Sequence, residues 1–245
     1  MFKYLRLFLL SLALIFATPI EATDQYNTVQ VSDYLSPVEE QVRNAAVKVI
    51  SQRGHGSGTY VKIEGFDIIL TAAHVTQGAI GDSYRVLGVN EQIIGKLIYQ
   101  NRELDISAIL IPEMTTRTNM RFHPLRNIAN IGTDITYSGY PSDHNLLTFK
   151  GSVAGYANDS LGNVNIILHG FGWFGCSGSG IFDLNGNLVG ILWGISSEKH
   201  RGAPQAIEDI IWVTPAHEID KDKIFENACE ISLPTPRQCR RFLRR

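Results

Sequence analysis

The sequence contains Gly175-Cys176-Ser177-Gly178-Ser179-Gly180, followed directly by Ile181-Phe182-Asp183-Leu184, Asn185-Gly186 and Asn187-Leu188-Val189-Gly190-Ile191-Leu192. The second part reads as strand, tight turn, strand, because Asn-Gly between apolar runs is the strongest short hairpin signal. The first part is then a glycine-rich loop anchored on rigid sheet. A serine between glycines sits on a backbone that can turn sharply and lie close to another molecule. In such a turn the N–H groups of Gly175 and Ser177 can converge on one point. That geometry suits the oxyanion formed when a serine hydroxyl attacks a carbonyl. A plain glycine-rich connector ahead of a hairpin has the same appearance, so the loop alone does not fix the chemistry.

Outward from this hairpin the chain alternates short apolar runs with turn residues. Ala46 to Ser51 alternates like a strand, and Gly58 to Ile63 pairs with Asp67 to Thr71 around Glu64-Gly65. Further strands are expected at Tyr84 to Leu87, Gln92 to Tyr99, Ile106 to Ile111, Asp134 to Ser138, Gly151 to Tyr156, Asn163 to Leu168 and Ile210 to Val213. Many short strands at this spacing indicate an all-β sandwich or barrel rather than βαβ units. Two helices frame them. Ser36-Pro37-Val38-Glu39-Glu40 has a capping serine, a proline at the first helical position and acids in the first turn, and Thr214-Pro215 opens a second helix over Ala216 to Asn227. Thr115 to Ile131 has no periodicity and reads as a connection between two lobes.

With 245 residues, 44% of them hydrophobic and 19% charged, the chain has an ordinary globular composition and length for a substantial core. A net charge of −2 argues against a general nucleic-acid binder, and the basic cluster from Arg237 to Arg245 reads as a solvated tail. Lys3 and Arg6 precede a short apolar run from Leu7 to Ala17, the pattern of a secretory signal peptide. Cleavage after Ala17 or Ala22 fits equally. The run is short for a bilayer span, so a secreted chain (extracellular or periplasmic) without stable membrane insertion is expected. Three cysteines allow three single bridges. Export would permit Cys229 and Cys239 to pair, leaving Cys176 as a free thiol. No zinc-type spacing, phosphate-binding loop or internal repeat is present, so neither metal nor cofactor is expected.

Other residues complete a constellation with Ser177. Leu70-Thr71-Ala72-Ala73-His74 ends a strand in small residues that let a histidine reach a cleft. Leu104-Asp105-Ile106-Ser107-Ala108-Ile109-Leu110 sets an acid at the mouth of an apolar strand, partly buried, where an imidazole N–H is a suitable partner. His74, Asp105 and Ser177 are the parts of a base, its orienter and a nucleophile.

These stretches resemble a trypsin-like serine peptidase of the chymotrypsin fold, on the HtrA and glutamyl-endopeptidase side of the family. The matching segments are Gly56-Ser57-Gly58-Thr59-Tyr60-Val61, Leu70 to Val75, Leu104 to Ala108 and Gly175 to Ser179. Weaker matches are Ser138-Gly139-Tyr140-Pro141, Gly190-Ile191-Leu192-Trp193-Gly194 and Val213-Thr214-Pro215. The resemblance implies two six-stranded antiparallel barrels, with a first lobe at about 46–114, a linker at about 115–131, a second lobe at about 132–213, and a helix and tail at 214–245, after a signal peptide at 1–22. The span 23–245 would be a single peptidase domain. It further implies that His74 is the general base, Asp105 its orienter, Ser177 the nucleophile, and the N–H groups of Gly175 and Ser177 the oxyanion hole. Trp193 and Gly194 would fall on the strand that pairs with substrate. Phe171 and Leu192 would line the specificity pocket, so that neither wall offers a charge and cleavage should follow apolar residues. His169 is the nearby group that could favour acids if its loop folded inward.

The sequence also departs from the family pattern. Cys176 stands where relatives carry Asp or Asn, so the bonds holding the serine turn must come from elsewhere. Gly180 replaces a common proline, which should leave the loop freer. No basic cleavage site precedes an Ile-Val-Gly-Gly-like start, so activation of the digestive-enzyme kind is not expected, and neither is a PDZ regulatory module. The partner implied is a protein or peptide substrate. The alternative from another class is a catalytically inactive homologue that binds proteins through the same cleft.

Overall fold

The computed structural model describes residues 34–200 and 202–232. The signal peptide expected at 1–22, the arginine-rich tail and Cys239 lie outside the described residues.

Helix α1 (Pro37–Ala45) starts at Ser36 with a reciprocal cap. The Ser36 hydroxyl accepts from the Glu39 N–H at 3.4 Å, and the Glu39 carboxylate accepts from the Ser36 N–H at 2.7 Å. The chain then passes straight into β1 (Ala46–Ser51). Strands β2 (Gly54–Ile63), β3 (Phe66–Thr71), β4 (Ser83–Leu87), β5 (Gln92–Asn101) and β6 (Ile106–Leu110) follow. With β1 they form a barrel in the order β1-β4-β5-β6-β3-β2, closed by antiparallel pairing of β1 with β2 from Ala46 opposite Thr59 to Ser51 opposite Gly54. A short β7 (Met120–Arg121) adds to β2 in parallel within the otherwise irregular connection.

The second barrel contains β8 (Asp134–Gly139), β9 (Leu147–Asn158), β10 (Val164–His169), β11 (Gly180–Asp183), β12 (Leu188–His200) and β13 (Ala203–Pro215). It closes in the order β10-β13-β12-β11-β8-β9. The two six-stranded barrels are those the family resemblance implies, and a helix flanks them at each end as the sequence reading expects. Each barrel has its own apolar filling. Val47, Val49, Tyr60, Ile69, Leu97 and Ile109 fill the first; Ile135, Tyr137, Ile166, Leu168, Ile181 and Val213 fill the second. A further cluster packs Val42 and Ala45 of α1 and Ile224 of the last helix with Ile68, Leu70, Phe182 and Ile191, so it takes in residues of both barrels. Ile68, Ile69 and Leu70 are all fully buried, because both faces of β3 are covered. That double burial is why β3 reads as a continuous apolar run rather than an alternation.

The structure corrects the sequence reading at several ends. Thr214-Pro215 does not cap a helix: β13 runs to Pro215, a 3-10 turn covers Ala216–Glu218, and helix α2 is Lys221–Ser232. The Thr214 hydroxyl donates instead to the Leu104 carbonyl at 2.6 Å, while Asp220 takes the capping role by accepting from the Lys223 N–H at 2.9 Å. The Asn185-Gly186 turn is wider than a two-residue hairpin. Gly186 has φ 79° while Asn185 is not left-handed, and Asp183 organises the turn by accepting from the N–H groups of Asn185 at 2.9 Å and Asn187 at 2.8 Å. Strands β12 and β13 also run as a ribbon out to His200 opposite Ala203. Its exposed polar residues, such as Glu198 and Glu208, carry no core-facing alternation, so sequence pattern could not reveal it.

Candidate active site

His74 lies in the turn that follows β3, behind the buried Ala72 and Ala73. The turn is held by N–H groups of Val75 and Thr76 donating to the carbonyls of Ala72 and Ala73, each at 3.1 Å, and by the Gln100 amide donating to the Thr76 carbonyl at 2.6 Å. Asp105 sits just before β6 and grips the histidine twice. One carboxylate oxygen accepts from the His74 backbone N–H at 2.8 Å, and the other lies 2.7 Å from His74 Nδ1. The Asp105 carbonyl also accepts from the Ala73 N–H at 3.1 Å. A carboxylate at Nδ1 assigns the proton of a neutral imidazole to that nitrogen and leaves Nε2 as the free base. The Asp105 side chain is 20% exposed and that of His74 46%, so the acid is sheltered while the ring reaches solvent. Asp105 has φ 53°, in the left-handed region where a non-glycine residue needs support from its surroundings.

Ser177 lies on a turn between Gly175, at φ 96°, and Gly178, at φ 93°. A Cβ on Gly178 would run into the Ser57 carbonyl and Thr71 Oγ1, and one on Gly175 would lie 2.9 Å from His55 Nε2 and even closer to the Tyr140 carbonyl. Both positions therefore require glycine. The turn is held largely from the first barrel. The Ser57 hydroxyl donates to the Gly175 carbonyl at 2.7 Å and accepts from the Tyr140 N–H at 2.9 Å, while the Ser57 N–H donates to the Ser177 carbonyl at 2.8 Å. His55 Nε2 donates to the Tyr140 carbonyl at 3.0 Å. Gly180 is not looser for lacking a proline ring: its N–H donates to Thr59 Oγ1 at 2.7 Å, a bond proline could not make. These contacts supply what Cys176 cannot. Cys176 is fully buried in the second barrel, and burial pushes its thiol up to about 11, so no thiolate is available there at neutral pH.

Among the described residues the N–H groups of Gly175 and Ser177 have no protein acceptor. The neighbouring N–H groups are engaged: Cys176 donates to the Trp173 carbonyl at 3.0 Å and Gly178 to the Leu192 carbonyl at 2.7 Å. The Ser177 hydroxyl is turned to the Trp193 carbonyl, 3.4 Å away, rather than to the imidazole.

The residues expected around the pocket divide into different environments. The Leu192 side chain is buried in the second barrel, and its backbone N–H and carbonyl are engaged with Ser179 and Gly178. Trp193 is half-buried, donates its indole N–H to Asn165 Oδ1 at 2.9 Å, and packs on Trp212 at 5.7 Å between ring centres. Gly194 faces open space. Phe171 is 38% exposed and stacks on Phe149, and its carbonyl accepts from the Tyr137 hydroxyl. Gly172 faces Ile195 and Ile211. The His169 side chain is 72% exposed and 4.0 Å from Asp209, so it is turned outward. A pocket of about 430 Å³ opens beside His74 and Asp105, with Leu104, Leu161, Asn165 and Trp193 in its walls. Sequence reading missed the supporting roles of Ser57, Asn163, Asn165 and Thr214; Ser57 and Thr214 lie in segments matched to the family, but nothing local points to a partner remote in the chain.

A fold of two antiparallel barrels, with a histidine and an acid on the first and a glycine-flanked serine on the second, is the architecture of chymotrypsin-like peptidases. A match to the trypsin-like peptidase domain covers residues 56–191, and the chain belongs to that family. A search of curated proteins finds no match. Similar solved structures include the Rv3671c protease from M. tuberculosis. Its inactive form, as a serine-to-alanine variant, has a TM-score of 0.60 at 16% identity, covering 82% of this chain and 92% of that one. Its active form has a TM-score of 0.59 at 17% identity, covering 82% and 86%. The HtrA-type protease AlgW with a tripeptide has a TM-score of 0.59 at 22% identity, covering 73% of this chain and 58% of that one. At these identities the likeness concerns the fold.

Proposed function

We propose that the chain is a secreted serine endopeptidase working through His74, Asp105 and Ser177. The observation that carries this reading is the double grip of Asp105 on His74, at 2.8 and 2.7 Å, which leaves Nε2 free to accept a proton in the same cleft as a serine turn with two unused N–H groups. A rotation of the Ser177 side chain away from the Trp193 carbonyl presents its hydroxyl to His74. Ser177 Oγ then attacks the peptide carbonyl as His74 takes its proton, and the Gly175 and Ser177 N–H groups stabilise the oxyanion. His74 protonates the leaving amine. Water, activated by the same imidazole, releases the acyl group from Ser177.

The specificity wall is read as apolar. Gly172 faces Ile195 and Ile211, Phe171 presents a ring, and His169 is turned out. A buried ionic side chain would find no partner on the wall of Gly172, Ile195 and Ile211, whereas an apolar one gains from burial; the acids beside Phe171, Glu198, Glu208 and Asp209, are exposed. Cleavage after medium-sized or large apolar residues is expected, with Arg and Lys poor. Export rests on the leader-like run at 7–17, and the Cys229–Cys239 bridge on Cys176 being the free, buried cysteine. The test is hydrolysis of a proteome-derived peptide library by the mature chain and by Ser177→Ala. Cleavage by the wild type alone supports the reading. Failure of both, with the protein folded, would instead leave a protein-binding homologue, a reading that the turn of the Ser177 hydroxyl toward the Trp193 carbonyl favours.

A further inference from the structure

The loop between β9 and β10 links the two walls of the cleft, with one carboxylate at its centre and a bond from the Asn165 amide to the Asn163 carbonyl, at 3.0 Å, beside it. Asp159 Oδ1 accepts from the N–H groups of Leu161 at 2.8 Å and Asn163 at 3.0 Å. Its other oxygen accepts from the side-chain amides of Asn163 at 3.1 Å and Asn165 at 3.5 Å. Each amide then reaches a different wall. Asn163 Nδ2 donates to the Glu103 carbonyl at 3.1 Å, on the first barrel and two residues before Asp105. Asn165, only 3% exposed, accepts the Trp193 indole N–H at 2.9 Å, and the Trp193 carbonyl is the acceptor facing the Ser177 hydroxyl.

The Glu103 end matters because Asp105 sits at φ 53°. Such a conformation persists where neighbouring structure over-determines it. Here Asn101 Oδ1 accepts from the N–H groups of Glu103 and Leu104, each at 3.0 Å, and the Leu104 carbonyl is taken by Thr214. The Glu103 carbonyl, taken by Asn163, is the remaining hold from the second barrel. Desolvation acts to raise the Asp159 pKa, but the hydrogen bonds from Asn163, Leu161 and Asn165 outweigh it and leave the group below its ordinary value, hence ionised at neutral pH.

We propose that Asp159 is a positioning residue that couples the two walls, fixing Trp193 through Asn165 and the backbone that presents Asp105 through Asn163. The inference rests on the peptidase reading. The Trp193 arm governs how substrate is bound, and the Glu103 arm governs how well the acid orients His74, so the two arms separate in KM and kcat.

The experiment is steady-state kinetics on a peptide the wild type cleaves, with thermal unfolding of each variant. Asn163→Ala is expected to lower kcat about three- to tenfold at unchanged KM, the scale of one net hydrogen bond. Trp193→Phe, which removes only the indole donor and part of the ring, is expected to raise KM by about as much at unchanged kcat. Asp159→Ala is expected to do both. Wild-type kinetics in a folded Asp159→Ala overturn the inference. So does an Asp159→Ala defect that tracks its unfolded fraction while both single-arm variants stay at wild-type values. A wild-type chain that hydrolyses no peptide overturns the peptidase reading, and this inference with it.

Discussion

The turn that carries Ser177 and the turn that carries Asp105 belong to different barrels, and each is secured from the opposite one. The serine turn of the second barrel hangs on Ser57 and Thr59 of β2, while His55 of the same strand holds the Tyr140 carbonyl beside it. The acid's turn, on the first barrel, hangs on Asn163 and Thr214 of the second. They differ in how they reach left-handed backbone. The serine turn uses glycines at φ 96° and 93°, which need no support for that conformation, whereas Asp105 holds φ 53° against its own side chain. One turn is built from its own residues and then fastened; the other exists because it is fastened. The cleft is thus shaped by reciprocal clamping rather than by either barrel alone.

The largest effects should come from the proposed triad itself. Ser177→Ala, His74→Ala and Asp105→Ala are each expected to lower kcat/KM by roughly 10⁴-fold or more, and a double variant should be little worse than its worse parent, because the groups act as a unit. Peptide hydrolysis by variants with wild-type unfolding midpoints measures this; a double variant that multiplies the single losses would break the unit.

Next comes Gly178→Ala, which adds a Cβ against the Ser57 carbonyl and Thr71 in a left-handed residue. A loss of roughly 2–4 kcal/mol in denaturant unfolding is expected, with activity falling as the turn deforms. By contrast Asp105→Gly should relax its turn while losing the carboxylate, giving a folded but inactive chain. If Asp105→Gly loses more stability than Gly178→Ala, the contrast between the two turns is wrong.

Ser57→Ala removes a hydroxyl with a partner on each side and strands the Gly175 carbonyl and the Tyr140 N–H. About 1–3 kcal/mol of destabilisation is expected, with kcat affected more than KM because the Gly175 N–H proposed to hold the oxyanion moves. An unchanged kcat in the folded variant would mean that the first barrel does not hold the turn.

The smallest effect concerns Glu91, a half-buried residue whose carboxylate accepts from the N–H and hydroxyl groups of Thr115 and Thr116 where the chain leaves the first barrel. Backbone hydrogen bonds from Thr115 lead the causes that hold it down to about 2. With the folded value depressed, its contribution is complete above the unfolded value of about 4.3 and disappears as pH falls through about 2. Amide exchange at Thr115 and Thr116 should therefore stay protected at pH 4, and lose protection at neutral pH in Glu91→Ala, with little change in global stability because these hydrogen bonds lie at the surface.

The serine turn was legible because its signals are local: glycines around a serine, then a hairpin of apolar runs. The positions of most strands were legible for the same reason, since β3, β6 and β11 are compact apolar runs between turn residues, whereas their closure into two barrels was implied only by the family resemblance. What holds the turns was not legible. Ser57 and Gly175 are 118 positions apart, and Thr214 and Leu104 are 110 apart, so each reads in isolation as an ordinary polar residue. Thr214-Pro215 shows the hazard: a good local cap signal was outweighed by the ladder of β13 and by a carbonyl from the other barrel. The positive φ of Asp105 left no trace either, because nothing in its neighbours' identities announces it.

The measurement that bears most directly on the account is peptide mapping of the mature chain after fluorophosphonate treatment, with and without prior alkylation of free thiols. The account predicts one adduct, on Ser177, formed equally in alkylated and untreated protein because the buried Cys176 neither reacts nor matters, and absent from His74→Ala. An adduct on Cys176, loss of labelling after alkylation, or no adduct on a folded chain would contradict it.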